Sequence, residues 1–342
     1  MNTTKGINQL TVTEWLQQHI PTISPPLDFS IISGGRSNLT YTVTDANGER
    51  YVLRRPPLGN VLESAHNVVR EYRIVEGVGK SDVPVARTIA ACEDRSVNGA
   101  DFTIVSYVDG VVLHDEAAAR QLSEAERMQL GFDVIDVLAR LHLIDVDEVG
   151  LGKLGRRENY VARQLRRWSR QLEAAKERNL PAMTDMIEVR RRLEADIPTP
   201  PRASIVHGDY RLGNLIVKDG RVQAVVDWEI CTLGDPLADV GYLLNDWVQP
   251  GEEVLWGKPP TTTSGFPSRQ ALLQRYASIT GFDVSQINFY RAFAMWRMAA
   301  ILEGVRIRYL HGAYGKSTFD LDRLAVSVVK LAESALALAQ KI

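Results

Sequence analysis

Apolar and polar residues alternate with a period of two over much of the first part of the chain. Alternating, β-branched-rich runs predict strands over Phe29–Ile32, Leu39–Thr44, Glu49–Arg54, Val85–Cys92 and Phe102–Tyr107. Gly34-Gly35 and Ala46-Asn47-Gly48 punctuate the first three as turns. Two helices are predicted among these strands. Thr11–Ile20 has Thr11 or Thr13 available as its cap and Pro21 as its stop. Ala65–Gly77 carries Val68, Val69, Tyr72, Ile74 and Val75 on and around one side.

From Ser123 onward the period becomes helical. Ser123-x-x-Glu126 is a capping-box signal, and Met128–Leu143 carries a long apolar face. Asn159–Glu177 reads as an Arg-rich amphipathic helix. A Pro/Thr/Ser-rich loop over Pro259–Pro267 precedes helices near 268–280, 284–310 and 319–341. One hairpin interrupts the helices: Leu215–Lys218, an Asp219-Gly220 turn, and Arg221–Val226. The pattern predicts an α+β fold with a small β-rich part over 1–108 and a larger, mainly helical part over 109–342. No internal repeat is visible.

Composition narrows the function classes. At 342 residues the chain is long enough for a large core, and 45% apolar with 24% charged residues is ordinary for a globular protein. A net charge of −2 gives no reason to expect a nucleic-acid partner. No apolar run is long enough to span a bilayer, so no membrane partner is expected. Met1–Leu10 lacks a signal-peptide pattern. Cys92 and Cys231 are the only cysteines, which excludes a disulfide framework. A cytoplasmic location is the expectation.

The chemistry concentrates around the hairpin. Val206-His207-Gly208-Asp209-Tyr210-Arg211-Leu212-Gly213-Asn214 precedes it and Val225-Val226-Asp227 closes it. If Asp219-Gly220 is the loop, Asn214 opposes Val225 and Asp227 falls on the same face as Asn214, one diagonal step away. Such neighbours are roughly 7–8 Å apart, within reach of one small ion. An Asn and an Asp on one cation, with a second Asp upstream, suit a site that holds Mg-ATP and accepts a hydroxyl proton.

These motifs resemble those of the aminoglycoside phosphotransferase superfamily of small-molecule kinases, relatives of choline kinase and of protein kinases. His207-x-Asp209-x-x-x-x-Asn214 resembles the catalytic loop, Asp227 the metal-binding Asp, and Gly234-Asp235-Pro236-Leu237-Ala238-Asp239 the segment that follows. The resemblance implies a protein-kinase-like fold of two lobes with ATP, or alternatively GTP, and Mg²⁺ as cofactors. It implies Asp209 as the catalytic base, with Asn214 and Asp227 on the metal. It makes His207 and Asp239 structural supports of the loop.

For the nucleotide, the resemblance implies Gly34, Gly35, Ser37 and Asn38 over the phosphates, and Arg54 gripping them with Glu71 as its partner. Arg55 is the alternative to Arg54, since strand alternation turns only one of them inward. Val105-Ser106-Tyr107-Val108 would be the strand-to-linker hinge, where backbone groups such as those of Val105 and Tyr107 read adenine.

The resemblance implies a small-molecule hydroxyl as acceptor, and Asp227 to Asp239 is too short for the activation segment of a protein kinase, which argues against a protein substrate. Lys and Arg outnumber Asp and Glu from Asn245 onward, and Arg156, Arg157, Arg163, Arg166, Arg167 and Arg170 crowd the region of the Arg-rich helix. That favours a neutral or anionic acceptor over a polycationic aminoglycoside. Glu158–Gln164, Arg167-Trp168 and Val226–Glu229 also resemble the kinase-like domains joined to acyl-CoA dehydrogenases, which implies a hydroxyacyl-CoA acceptor. An aminoglycoside kinase, a nucleotide-binding pseudokinase and, less favoured, a metallophosphatase are the alternative classes. The last would need histidines in metal-ligand clusters, and His19, His66, His114, His142 and His311 are scattered singly.

Overall fold

A computed structural model describes residues 4–33, 38–59, 67–173, 182–310 and 320–342. The chain divides into two compact units. The first comprises Met1–Val111, Asp147–Leu151 and Gln223–Ile230; the second comprises Val112–Val146, Gly152–Val222 and Cys231–Ile342.

The first unit is built on one antiparallel sheet. In chain order its elements are α1 (Gln9–His19), β1 (Asp28–Ser33), β2 (Leu39–Thr44), β3 (Arg50–Arg55), α2 (Val68–Val78), β4 (Thr88–Cys92), the single-turn α3 (Arg95–Asn98) and β5 (Phe102–Ser106). The sheet order is β1-β2-β3-β5-β4. Alternation along β2 and β3 sends Tyr41, Val43 and Leu53 into a core shared with Phe102 and Ile104. Val12 and Leu16 of α1 close that core. Neither Thr11 nor Thr13 caps α1: the helix starts earlier, at Asn8, without a side-chain cap. The Thr11 hydroxyl is instead engaged by the Asn8 and Val97 carbonyls, which tie α1 to α3. Strand β4 starts at Thr88 rather than Val85. Helix α2 begins at Val68 with Asn67 as its cap, 2.8 Å from the Arg70 amide. Residues 65 and 66 of the expected helix lie outside the described residues.

A two-residue strand, β6 (Val111–Val112), contains the boundary to the second unit, which is mainly helical. Its elements are α4 (Glu116–Ala119), α5 (Glu124–Leu143), α6 (Tyr160–Glu173), α7 (Met183–Ala195), β7 (Ser204–Val206), β8 (Leu215–Lys218), β9 (Arg221–Val225), β10 (Thr232–Gly234), α8 (Leu237–Asp246), α9 (Arg269–Thr280), α10 (Ile287–Leu310) and α11 (Leu321–Ala339). The unit boundary falls inside β9. Both hydrogen bonds of the Ser123/Glu126 capping box form at the start of α5. The last residues of the expected 159–177 helix lie outside the described residues. Every residue of α8 is buried, so this short helix forms the centre of the unit. Gly241 lets α10 approach it: a Cβ there would lie 2.6 Å from the Tyr290 carbonyl carbon. Among the described residues, no helix is long and apolar enough to cross a membrane.

Candidate active site

In the second unit, β7 leads directly into the His207–Asn214 loop. β7 pairs antiparallel with β10, Val206 opposite Thr232 and Ser204 opposite Gly234. The loop that follows is held by Asp239 from the first turn of α8. Its Oδ2 accepts the His207 amide at 2.6 Å and its Oδ1 the Gly208 amide at 2.9 Å. His142 Nε2 lies 3.4 Å from the same Oδ2, and Tyr276 completes the chain 2.8 Å from His142 Nδ1. Burial alone would raise the Asp239 pKa. The His142 hydrogen bond, the fields of His142 and His207 and the Gly208 amide more than offset this and hold it below the usual value. His207 is fully buried, and its Nδ1 accepts the Asp209 amide at 3.3 Å.

Asp209 is gripped at both oxygens. The Asn214 amide donates to Oδ2 at 2.8 Å and to the Asp209 carbonyl at 2.9 Å. The Tyr242 hydroxyl donates to Oδ1 at 2.5 Å. Arg211 Nε lies 3.5 Å from Oδ1, and the guanidinium folds back over Gly213, where a Cβ would meet Nη1 at 2.7 Å. Asp246, at the end of α8, is 7% exposed and its pKa is pushed up to about 6: burial raises it, Arg211 draws it down and Asp209 pushes it up again.

The strand alternation expected to align Asn214 with Asp227 stops short of both. Asn214 ends a one-turn 3₁₀ helix over Leu212–Asn214, before β8 begins. Asp227 lies beyond β9 with φ +67°, a left-handed conformation that costs about 1 kcal/mol or more outside glycine. The loop between β7 and β8 must turn sharply to bring the Asn214 amide back onto Asp209, and this prevents extension of the pleat.

In the first unit, Arg54 of β3 meets Glu71 of α2, Nη1 to Oε2 at 3.1 Å. Asn38 donates to Glu71 Oε1 at 2.7 Å. Burial pushes the Glu71 pKa up to about 7; Arg54 opposes this, and Asp227 and Glu229 add to it. Arg55 points the other way, onto the carbonyls of Gly6, Pro56 and Asn98. Between the two arginines, Arg54 is therefore the one paired with Glu71. Val105 lies within β5 opposite Val52, and the Tyr107 ring is covered by Arg50 at 3.8 Å. Gly34, Gly35 and Ser37 lie outside the described residues.

Each unit carries one side chain whose oxygen suits a divalent cation, Asp227 in the first and Asn214 in the second. Asp227 Oδ1 is buried without a hydrogen-bond partner, an arrangement that is unfavourable unless a cation or donor reaches it. The Asn214 amide hydrogens are both directed at Asp209, which leaves its side-chain oxygen as a hard ligand. Among the described residues, no cluster of three or more His, Cys, Asp or Glu side chains forms a metal site.

A model of the phosphotransferase enzyme family matches residues 28–256. The chain belongs to this family. A crystal structure from Ralstonia eutropha JMP134, itself only provisionally assigned as an aminoglycoside phosphotransferase, superposes with a TM-score of 0.83 at 33% identity, covering 98% of both chains. Choline kinase from Cryptosporidium parvum Iowa II shares the fold at 12% identity, with a TM-score of 0.68 over 98% of this chain and 97% of that one. The fold is thus that of the protein-kinase-like small-molecule kinases. Mouse acyl-CoA dehydrogenase family member 10 is 34% identical over 96% of this chain. The chain spans only 31% of that relative, and 40% of the 33%-identical chicken acyl-CoA dehydrogenase family member 11.

Three residues close to Asp209 carried no role in the sequence reading: Tyr242, Asp246 and Arg297. Tyr242 lies one helical turn after Asp239, so helical spacing from a known brace would have pointed to it. Arg297 offers no such signal.

Proposed function

We propose that this phosphotransferase moves the γ-phosphoryl group of ATP to the hydroxyl of a small anionic acceptor, with a hydroxyacyl-CoA as the favoured class. The observation that carries the reading is the Asp209 carboxylate, oriented by Asn214 and Tyr242 at its two oxygens. Each oxygen keeps a further lone pair, so Asp209 can accept the acceptor's proton while staying aimed. The acceptor oxygen bonds to the γ-phosphorus, and the bond to the β–γ bridging oxygen breaks with its electron pair leaving on ADP. The released proton passes to Asp209. Arg54, held by Glu71, is the cation proposed to grip phosphate oxygens. Asn214 and Asp227 are the proposed magnesium ligands; when bound, the ion neutralises charge on the phosphate oxygens. A related aminoglycoside phosphotransferase, 17% identical with a TM-score of 0.64, carries AMP-PNP and hygromycin B in its ternary complex, which supports a nucleotide and a small-molecule acceptor.

The anionic acceptor is supported by the start of α6. Arg163 is half-buried, donates Nη2 to the Arg156 carbonyl at 2.8 Å and has no hydrogen-bond partner at its buried Nη1. Its pKa is lowered, by burial first and then by Arg156. Among the described residues, Arg156, Arg163 and Arg166 form no ion pair. A phosphate-bearing acceptor would relieve that repulsion, whereas a polycation would add to it. The names of the acyl-CoA dehydrogenase relatives point to the same chemical class.

The test is phosphoryl transfer from Mg-ATP, read by mass spectrometry, with a hydroxybutyryl-CoA, free hydroxybutyrate, choline and hygromycin B as acceptors. The reading expects a phosphorylated CoA thioester. Strong transfer to choline or hygromycin B with none to the thioester would overturn the acceptor class.

A further inference from the structure

Arg297 lies two helical turns beyond Tyr290, on the face of α10 that approaches α8 at Gly241. Its side chain is almost fully buried. Nη2 donates to the Gly208 carbonyl at 2.8 Å. Asp239 already holds the Gly208 amide at 2.9 Å, so the residue before Asp209 is held at both its polar ends, in a left-handed conformation at φ +87°. The same guanidinium lies 5.4 Å from the centre of the Tyr242 ring, whose hydroxyl orients Asp209 Oδ1. Tyr160 also shares a side-chain hydrogen bond with Arg297, and its ring packs where a Gly234 Cβ would stand.

Among the described residues, Arg297 forms no ion pair, and its buried Nε has no hydrogen-bond partner. A buried cation without a carboxylate partner is a poor device for stability. Nη2 bonds the backbone of the His207–Asn214 loop, and the ring contact is with the tyrosine that touches Asp209.

We propose that Arg297 is a positioning residue for phosphoryl transfer: it fixes the Gly208–Asp209 peptide and, through the Tyr242 ring, the aim of the Asp209 carboxylate. The catalytic half of this proposal rests on Asp209 being the base. The clamp itself does not.

Full-length Arg297→Met and Arg297→Lys variants separate the two. Hydrogen exchange over residues 204–214 reads the clamp, and steady-state transfer from Mg-ATP to the hydroxybutyryl-CoA reads its consequence. In Arg297→Met the Gly208 and Asp209 amides should exchange about tenfold faster while peptides of α8 and α10 keep their protection. kcat should fall about 100-fold, the scale of a slightly misplaced catalytic group, with the KM for ATP unchanged. Arg297→Lys keeps one donor for the Gly208 carbonyl and should recover part of both effects. Unchanged exchange in the loop would overturn the proposal. So would uniform loosening of the whole unit with kcat falling only in proportion to the folded fraction, because that is a merely structural role. If wild-type protein transfers no phosphate to any acceptor, the kinase reading falls, and the exchange result still decides the clamp.

Discussion

Tyr242 and Asp209 form a 2.5 Å hydrogen bond, hydroxyl to Oδ1, that ties α8 to the His207–Asn214 loop. Hydrogen bonds to charged groups contribute about 1.5–3 kcal/mol. Tyr242→Phe leaves the ring in place and removes only this donor. Its kcat should fall roughly tenfold or more with the KM for ATP unchanged, as measured by steady-state transfer. An unchanged kcat would remove Tyr242 from the account.

Asp235 gives a pH prediction. Its Oδ1 accepts the Leu237 amide at the start of α8, and Oδ2 accepts the Tyr290 hydroxyl at 2.7 Å. Burial raises its pKa to about 6, against about 3.9 unfolded. The folded state therefore favours the proton. The stability this contributes is fully present below the unfolded pKa and is lost as pH rises through about 6. Asp235→Asn removes the titration. Relative to wild type, the variant should gain roughly 2–3 kcal/mol between pH 4 and pH 8 in urea melts. Asp239 has the opposite sign, because its folded pKa is depressed. The gap between wild type and Asp239→Asn should shrink as pH falls below about 4. Parallel curves for wild type and Asp235→Asn would contradict the burial argument.

Two glycines distinguish rigid from yielding neighbours. A Cβ at Gly241 would meet the Tyr290 backbone at 2.6 Å, while one at Gly213 would meet the far end of Arg211 at 2.7 Å. Gly241→Ala should cost about 1–3 kcal/mol or more in stability, because the α8–α10 contact must open. Gly213→Ala should leave stability within about 0.5 kcal/mol while displacing Arg211 from Asp209. Equal losses in denaturant melts would contradict the packing account.

The acceptor side is tested by Arg163→Glu. Charge reversal beside Arg156 should raise the KM for the hydroxybutyryl-CoA at least tenfold and leave the KM for ATP and the rate on free hydroxybutyrate unchanged, since about 1.4 kcal/mol of lost attraction suffices. A KM unchanged for the thioester would move its phosphates away from α6.

Much of this was legible in the sequence because local signals were strong. The Asp219-Gly220 turn, the Ser123/Glu126 box and the alternation over Leu39–Thr44 each specify an element by themselves. The spacing of His207, Asp209 and Asn214 was legible for the same reason. What could not be read was tertiary. Nothing near Arg297 in sequence ties it to Gly208, and its hydrogen bond exists because Gly241 lets α10 pass close to α8. Strand alternation failed at Asn214 and Asp227 because both lie where the pleat has ended, one in a 3₁₀ turn and one at positive φ. The choice between Arg54 and Arg55 needed the location of Glu71 and of the Gly6 carbonyl.

The most direct test compares wild type with Asp209→Ala in Mg-ATP-dependent transfer to the hydroxybutyryl-CoA, with nucleotide binding measured in parallel. The account predicts a phosphorylated product from wild type, a loss of about 10²–10⁴-fold in the variant, and equal ATP affinity in both. Transfer that survives the substitution at the wild-type rate, or a wild-type protein that moves no phosphate to any hydroxyl, would contradict it.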